Sequence, residues 1–135
     1  MRRTIAVYMM ALLPLLGCDR TATEPELDTE VLFTIEVSGE TFVARSSDAA
    51  TIESLDARLA SGVSGVILGE LAAGDGGFNA PWGWHWVPGT VAVADTSIEL
   101  CDGRPSFVEA DLSYWIDTVE AFCPWGATVV ARDPA

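Results

Sequence analysis

Three tryptophans at alternating positions, Trp82, Trp84 and Trp86, constrain this chain more than any other feature. They lie in Asn79-Ala80-Pro81-Trp82-Gly83-Trp84-His85-Trp86-Val87-Pro88-Gly89, a stretch framed by prolines and glycines that favours a loop or a short extended segment. Extended backbone alternates its side chains, so the three indoles share one side while His85 and Val87 take the other. Three indoles on one side form either a core layer or an exposed stacking platform for a sugar, peptide or aromatic ligand. The platform reading makes Trp82 and Trp84 ligand contacts and Asn79 the turn-forming residue. His85, on the opposite side from the indoles, is then a supporting hydrogen-bonder that holds the segment's backbone in place.

The core available to receive those rings is modest. Arg2 and Arg3 precede an apolar run over residues 5–16, which Gly17 and Cys18 close. A bilayer-spanning helix needs ~20 apolar residues, so this shorter run reads as a cleavable export signal over residues 1–17. The Leu15-Leu16-Gly17-Cys18 order resembles the lipobox of bacterial lipoproteins. That resemblance implies that Cys18 is diacylated, with palmitate among its chains, and anchors an extracytoplasmic protein in the cell envelope. Residues 18–30 are polar, acidic and broken by Pro25, so they read as a disordered tether that reaches ~45 Å at most. One domain, residues 31–132, remains to fold.

Removing the signal takes away two arginines and no carboxylate, so the net charge of −13 becomes −15, and the chain has no lysine. Such a surface repels nucleic acid and anionic headgroups and makes both poor partners. The membrane is then met through the lipid alone.

Within the domain, Val31-Leu32-Phe33-Thr34-Ile35-Glu36-Val37 alternates inward and outward residues, and Ser38-Gly39 turns it into Glu40-Thr41-Phe42-Val43-Ala44-Arg45, a β-hairpin. Asp48 offers an N-cap, Ile52, Leu55 and Leu59 recur at helical spacing, and Gly62 stops the helix. Residues 63–71 suit a central strand, and residues 90–94 and 97–101 read as paired strands around Asp95-Thr96. Ser106 and Glu109 form a capping box, behind which Val108, Leu112, Trp115, Val119 and Phe122 predict one amphipathic helix to residue 122. Residues 128–131 close the sheet. The expected class is α+β, a small antiparallel-sheet domain with two helices and one disulfide.

That disulfide is Cys101–Cys123, the pair left once Cys18 is acylated in an oxidising compartment. A free reactive thiol or a metal pair is the alternative. No second histidine can activate a thiolate, and two cysteines so far apart make no zinc signature. His85 is the sole histidine, with no Gly-x-Ser-x-Gly elbow in the chain and no carboxylate near it in sequence. Neither a catalytic residue, a metal ligand nor a cofactor is expected.

The blocks Pro81-Trp82-x-Trp84-His85, Cys101-Asp102-Gly103-Arg104-Pro105-Ser106 and Cys123-Pro124-Trp125 resemble the N-terminal domain of a slime-mould calmodulin-binding protein, a domain also found alone in bacterial secreted proteins. The resemblance covers about residues 31–132 and implies a secreted, single-domain unit with paired cysteines. Calmodulin binding does not carry over. Calmodulin targets are basic amphipathic helices, whereas residues 107–122 hold Glu109, Asp111, Asp117 and Glu120 and no basic residue.

The sequence thus favours a non-enzymatic, lipid-anchored extracytoplasmic binding or interaction module whose ligand it does not name. One rival is an inhibitor of secreted peptidases, plugging a protease cleft with an exposed Trp-rich loop. A second is a hydrolytic enzyme pairing His85 with Glu99 or Asp102.

Overall fold

Apolar alternation builds the first sheet, in a computed structural model that describes residues 29–135. The signal, Cys18 and the tether up to residue 28 lie outside the described residues. Strand β1 (Val31–Val37) turns through Ser38 and Gly39, both at positive φ, into β2 (Glu40–Ser46). A two-residue turn with both φ positive matches the twist of a hairpin. Phe33, Ile35, Val37, Phe42 and Ala44 all face inward. After Ser46, Asp48 accepts the Thr51 N–H at 2.8 Å and opens helix α1 (Ala49–Ser61). Gly62, at φ +66°, ends it as the sequence predicts. Leu55 is buried, and Ile52 and Leu59 pack beside it.

Strand β3 (Val66–Ala73) is the spine of the second sheet. It pairs antiparallel with β4 (Trp84–Trp86), β5 (Ala92–Ala94) and β6 (Ala121–Phe122). Strand β7 (Thr128–Pro134) returns to the first sheet and completes the order β2-β1-β7. Its last residue lies two positions beyond the expected domain end. The fold is α+β, with both sheets antiparallel and one disulfide joining Cys101 to Cys123 across Cα atoms 5.1 Å apart.

The sheets share one core, in which Phe42 of the first sheet meets aromatic rings of the second. Its ring lies 4.7 Å edge-on to Trp86, 5.3 Å from Trp84 and 5.7 Å from Phe122. A second, smaller cluster gathers Val66, Cys101 and Cys123 around the disulfide.

The structure departs from three local expectations. Residues 97–101 form no strand: Glu99–Cys101 is a 3₁₀ turn, and β5 pairs with β3 instead. The segment is diverted to bring Cys101 to Cys123, whose N–H donates to the Cys101 carbonyl at 2.8 Å. The single helix over residues 107–122 is also broken. It runs as α2 (Pro105–Ala110), α3 (Leu112–Tyr114) and a π turn (Trp115–Val119). Asp111 interrupts it because its carboxylate takes the Tyr114 N–H at 3.2 Å, a side-chain bond that competes with the helical ladder. Glu120, at φ +66°, stops the π turn. The periodic anchors still turn inward: Val108, Trp115 and Phe122 are buried, and Leu112 and Val119 pack against them.

The capping box is absent as well, because both of its residues serve tertiary ties. The Ser106 N–H and hydroxyl donate to the Glu40 carboxylate at 2.8 and 2.7 Å. Glu109 accepts the Gly83 N–H at 2.9 Å. Pro105 opens α2 without a side-chain cap, its missing N–H leaving one orphan donor fewer.

A candidate binding face beside the disulfide

The Trp-rich segment is a clasp between the two sheets. Trp84 and Trp86 have no accessible surface, and Trp82 is half-buried, 6.1 Å from Trp84. The expected one-sided arrangement of indoles holds, but the side they share is the core. Trp86 fits only because Gly69 lies beneath it: a β-carbon there would meet three of its ring atoms at 2.5–2.9 Å.

Asn79 is wholly buried, and it does more than form a turn. Its Nδ2 donates to the Trp84 carbonyl at 2.8 Å. Its Oδ1 accepts the Val43 N–H at 2.7 Å, and Trp82 Nε1 donates to the Thr41 carbonyl at 2.9 Å. Val43 and Thr41 belong to β2, a terminal strand of its sheet. These side chains supply partners that a further strand would otherwise provide. Trp84 is therefore withdrawn from any ligand, and the exposed plug that a peptidase inhibitor needs is not presented.

His85 Nδ1 lies 2.7 Å from the Gly74 carbonyl, and its ring stands edge-on to Phe78 at 5.6 Å. A carbonyl only accepts, so Nδ1 carries the proton. The bond ties the segment to Gly74, in the loop that precedes it. Neither Glu99 nor Asp102 joins it; Asp102 is committed to the Trp125 N–H at 2.9 Å. Among the described residues, no three of His, Cys, Asp and Glu gather as a metal site.

The indoles of Trp84 and Trp86 leave their N–H groups buried without a partner among the described residues, at a cost of ~1–3 kcal/mol each. Neither residue lines a described cleft.

What the sequence reading missed is assembled by the disulfide. Cys101–Cys123 brings the Cys-Asp-Gly-Arg loop against Cys123-Pro124-Trp125, and the Asp102–Trp125 hydrogen bond locks the two together. Large apolar side chains stay in water on this stapled unit: Ile98, Leu100, Phe107 and, 45% exposed, Trp125. Two clefts flank it. One of 310 Å³ is lined by Gly65, Val66, Asp95, Thr96, Ser97 and Trp125. The other, of 420 Å³, lies between the β1–β2 turn and Asp102, Gly103, Arg104 and Phe107. Arg104 stacks on Phe107 with its guanidinium carbon 4.5 Å from the ring centroid. The available signal was the pair of motif blocks that begin at the two cysteines. Only the pairing makes them one surface.

A family model described as the BP-74 N-terminal domain matches residues 29–135. No curated protein and no solved structure matches the chain.

Proposed function

Given that the chain belongs to the BP-74 N-terminal domain family, we propose that it is a lipid-anchored extracytoplasmic binding module whose ligand face is the stapled surface around Trp125. The observation that carries this reading is Trp125 itself. Its indole is nearly half exposed beside a cleft, while its backbone is fixed through Asp102 and the neighbouring disulfide. Rigid exposed aromatics are the side chains that dominate recognition energetics, because little entropy is lost when they are covered. Leu100, Ile98 and Phe107 extend the apolar surface around it.

The anchor rests on the leader and Cys18, and none of the described helices is long and apolar enough to cross a membrane. The acidic surface argues against nucleic acid, and the acidic α2–α3 segment argues against calmodulin.

The test is a photo-crosslinking residue placed at position 98, beside Trp125, in cells, with position 130 on β7 as the exposed control. A discrete adduct at 98, absent at 130 and lost on Leu100→Asp, supports the module. Equal labelling at both positions overturns it. Cys18→Ser should move the protein from the membrane to the soluble fraction or leave it uncleaved; an unchanged membrane fraction removes the anchor.

A further inference from the structure

Trp125 differs from the other described tryptophans in what its ring touches. Trp82, Trp84, Trp86 and Trp115 each have an aromatic neighbour. Among the described residues, Trp125 has neither a ring nor a cation beside it, and the bond that holds it is made by its backbone. Its indole face is uncommitted.

The fold already satisfies two other exposed or half-buried rings with guanidinium groups. Arg45 stacks on Phe78 at 4.8 Å and Arg104 on Phe107 at 4.5 Å. Trp is the strongest ring for this interaction, so the one left open is the one most suited to it.

We propose that the 310 Å³ cleft walled by Trp125 and Asp95 receives an arginine side chain of a partner polypeptide, a proposal that rests on the stapled surface being the ligand face. Four features favour that occupant. The volume sits at the low end of ligand sites, about 300–1,000 Å³, and suits one long side chain more than a larger ligand. Val66 and the Trp125 ring offer apolar walls for the methylene stem. Asp95 is exposed at the cleft and makes no ion pair among the described residues, and Glu99 stands exposed on the next turn. The walls are fixed: Gly65 and Ala127 exchange two backbone hydrogen bonds at 3.0 and 3.1 Å, and the disulfide holds the other side.

Arg58 is the competing charge. Its guanidinium packs over Gly65 and has a buried Nη1 without a partner among the described residues, though it does not line the cleft. An anionic occupant would therefore depend on Arg58 and a cationic one on Asp95, and the two give opposite signs.

The experiment is calorimetric titration of the full chain in nonionic detergent with hexa-arginine, hexa-lysine and hexa-glutamate peptides. Hexa-arginine should bind, with hexa-lysine weaker and hexa-glutamate absent. Trp125→Ala, which leaves net charge unchanged, and Asp95→Asn should each weaken hexa-arginine about fivefold to tenfold. Glu53→Gln removes the same unit of charge from the exposed face of α1 and should change it less than twofold. Arg58→Gln should tighten it.

Thermal melts confirm that each variant is folded, and Asp95→Asn carries the test if Trp125→Ala does not fold. Equal losses for Asp95→Asn and Glu53→Gln mean attraction to bulk charge and overturn the proposal. So does hexa-glutamate binding that Arg58→Gln abolishes. If either occurs while the adduct at position 98 persists in cells, the occupant is wrong and the ligand face stands. Loss of that adduct removes the face itself.

Discussion

Asn79, wholly buried, accepts the backbone N–H of Val43 on its Oδ1 at 2.7 Å across a separation of 36 residues. The same side chain donates to the Trp84 carbonyl at 2.8 Å, so one amide joins β2 to β4. Asn79→Ala orphans both backbone groups. The expected loss is about 2–6 kcal/mol, from ~1–3 for each of the two groups left unpaired. Asn79→Asp keeps the acceptor, loses the donor and buries a charge, so it should not rescue stability. Urea unfolding reads both. A loss below ~1 kcal/mol for Asn79→Ala would show that the bridge is not needed.

Gly69 and Trp86 form a pair in which one residue exists to admit the other. Gly69→Ala forces a β-carbon to within 2.5 Å of the Trp86 ring and should cost about 1–3 kcal/mol. Trp86→Ala, which opens a cavity beside Phe42, should cost about 3–5 kcal/mol. In the double variant the two losses should not add, because the clash is gone once the ring is. Strict additivity in denaturant melts would disprove the coupling.

The disulfide closes a loop with a sequence separation of 22 residues. In the chain-entropy picture its reduction should lower the unfolding free energy by ~3 kcal/mol. Thiol labelling of the denatured, unreduced protein should find neither Cys101 nor Cys123 free. Two labelled thiols would refute the staple.

Local signals in the sequence account for part of this fold. The hairpin, α1 with Asp48 and Gly62 at its ends, and the cysteine pair were legible because each depends on neighbours in the chain or on composition. The break at Asp111 was not, since a carboxylate that reaches the Tyr114 N–H has the same spacing as an ordinary helical residue. Ser106 and Glu109 fit a local cap by pattern, yet their partners are Glu40 and Gly83, distant in sequence. The indoles illustrate the same limit. Alternation tells which rings share a side, whereas only Phe42 and Phe122 on other strands decide that the side faces inward.

Glu40 makes stability depend on acid. The Ser106 hydroxyl and then its N–H, with a weaker attraction from Arg104, hold the Glu40 carboxyl below its ordinary range against a small opposing effect of burial. A depressed folded-state value contributes stability above the unfolded-state value, ~4.3, and that contribution fades as pH falls through the folded value. Glu40→Gln should therefore narrow the gap in melting temperature between pH 7 and pH 3. An unchanged gap would remove Glu40 from the acid response.

The sealed margin of β2 has a kinetic consequence. An amide on a terminal strand ordinarily exchanges its hydrogen with solvent by local fraying, well before the centre of a protein opens. Val43 is different, because its partner Asn79 is tied to Trp84, and Trp84 packs on Phe42 and Phe122. Freeing that amide means pulling out the clasp, and pulling out the clasp dismantles the core. Deuterium should enter Val43 as slowly as it enters Phe33 or Ile67, placing a boundary strand in the slowest-exchanging class of the molecule.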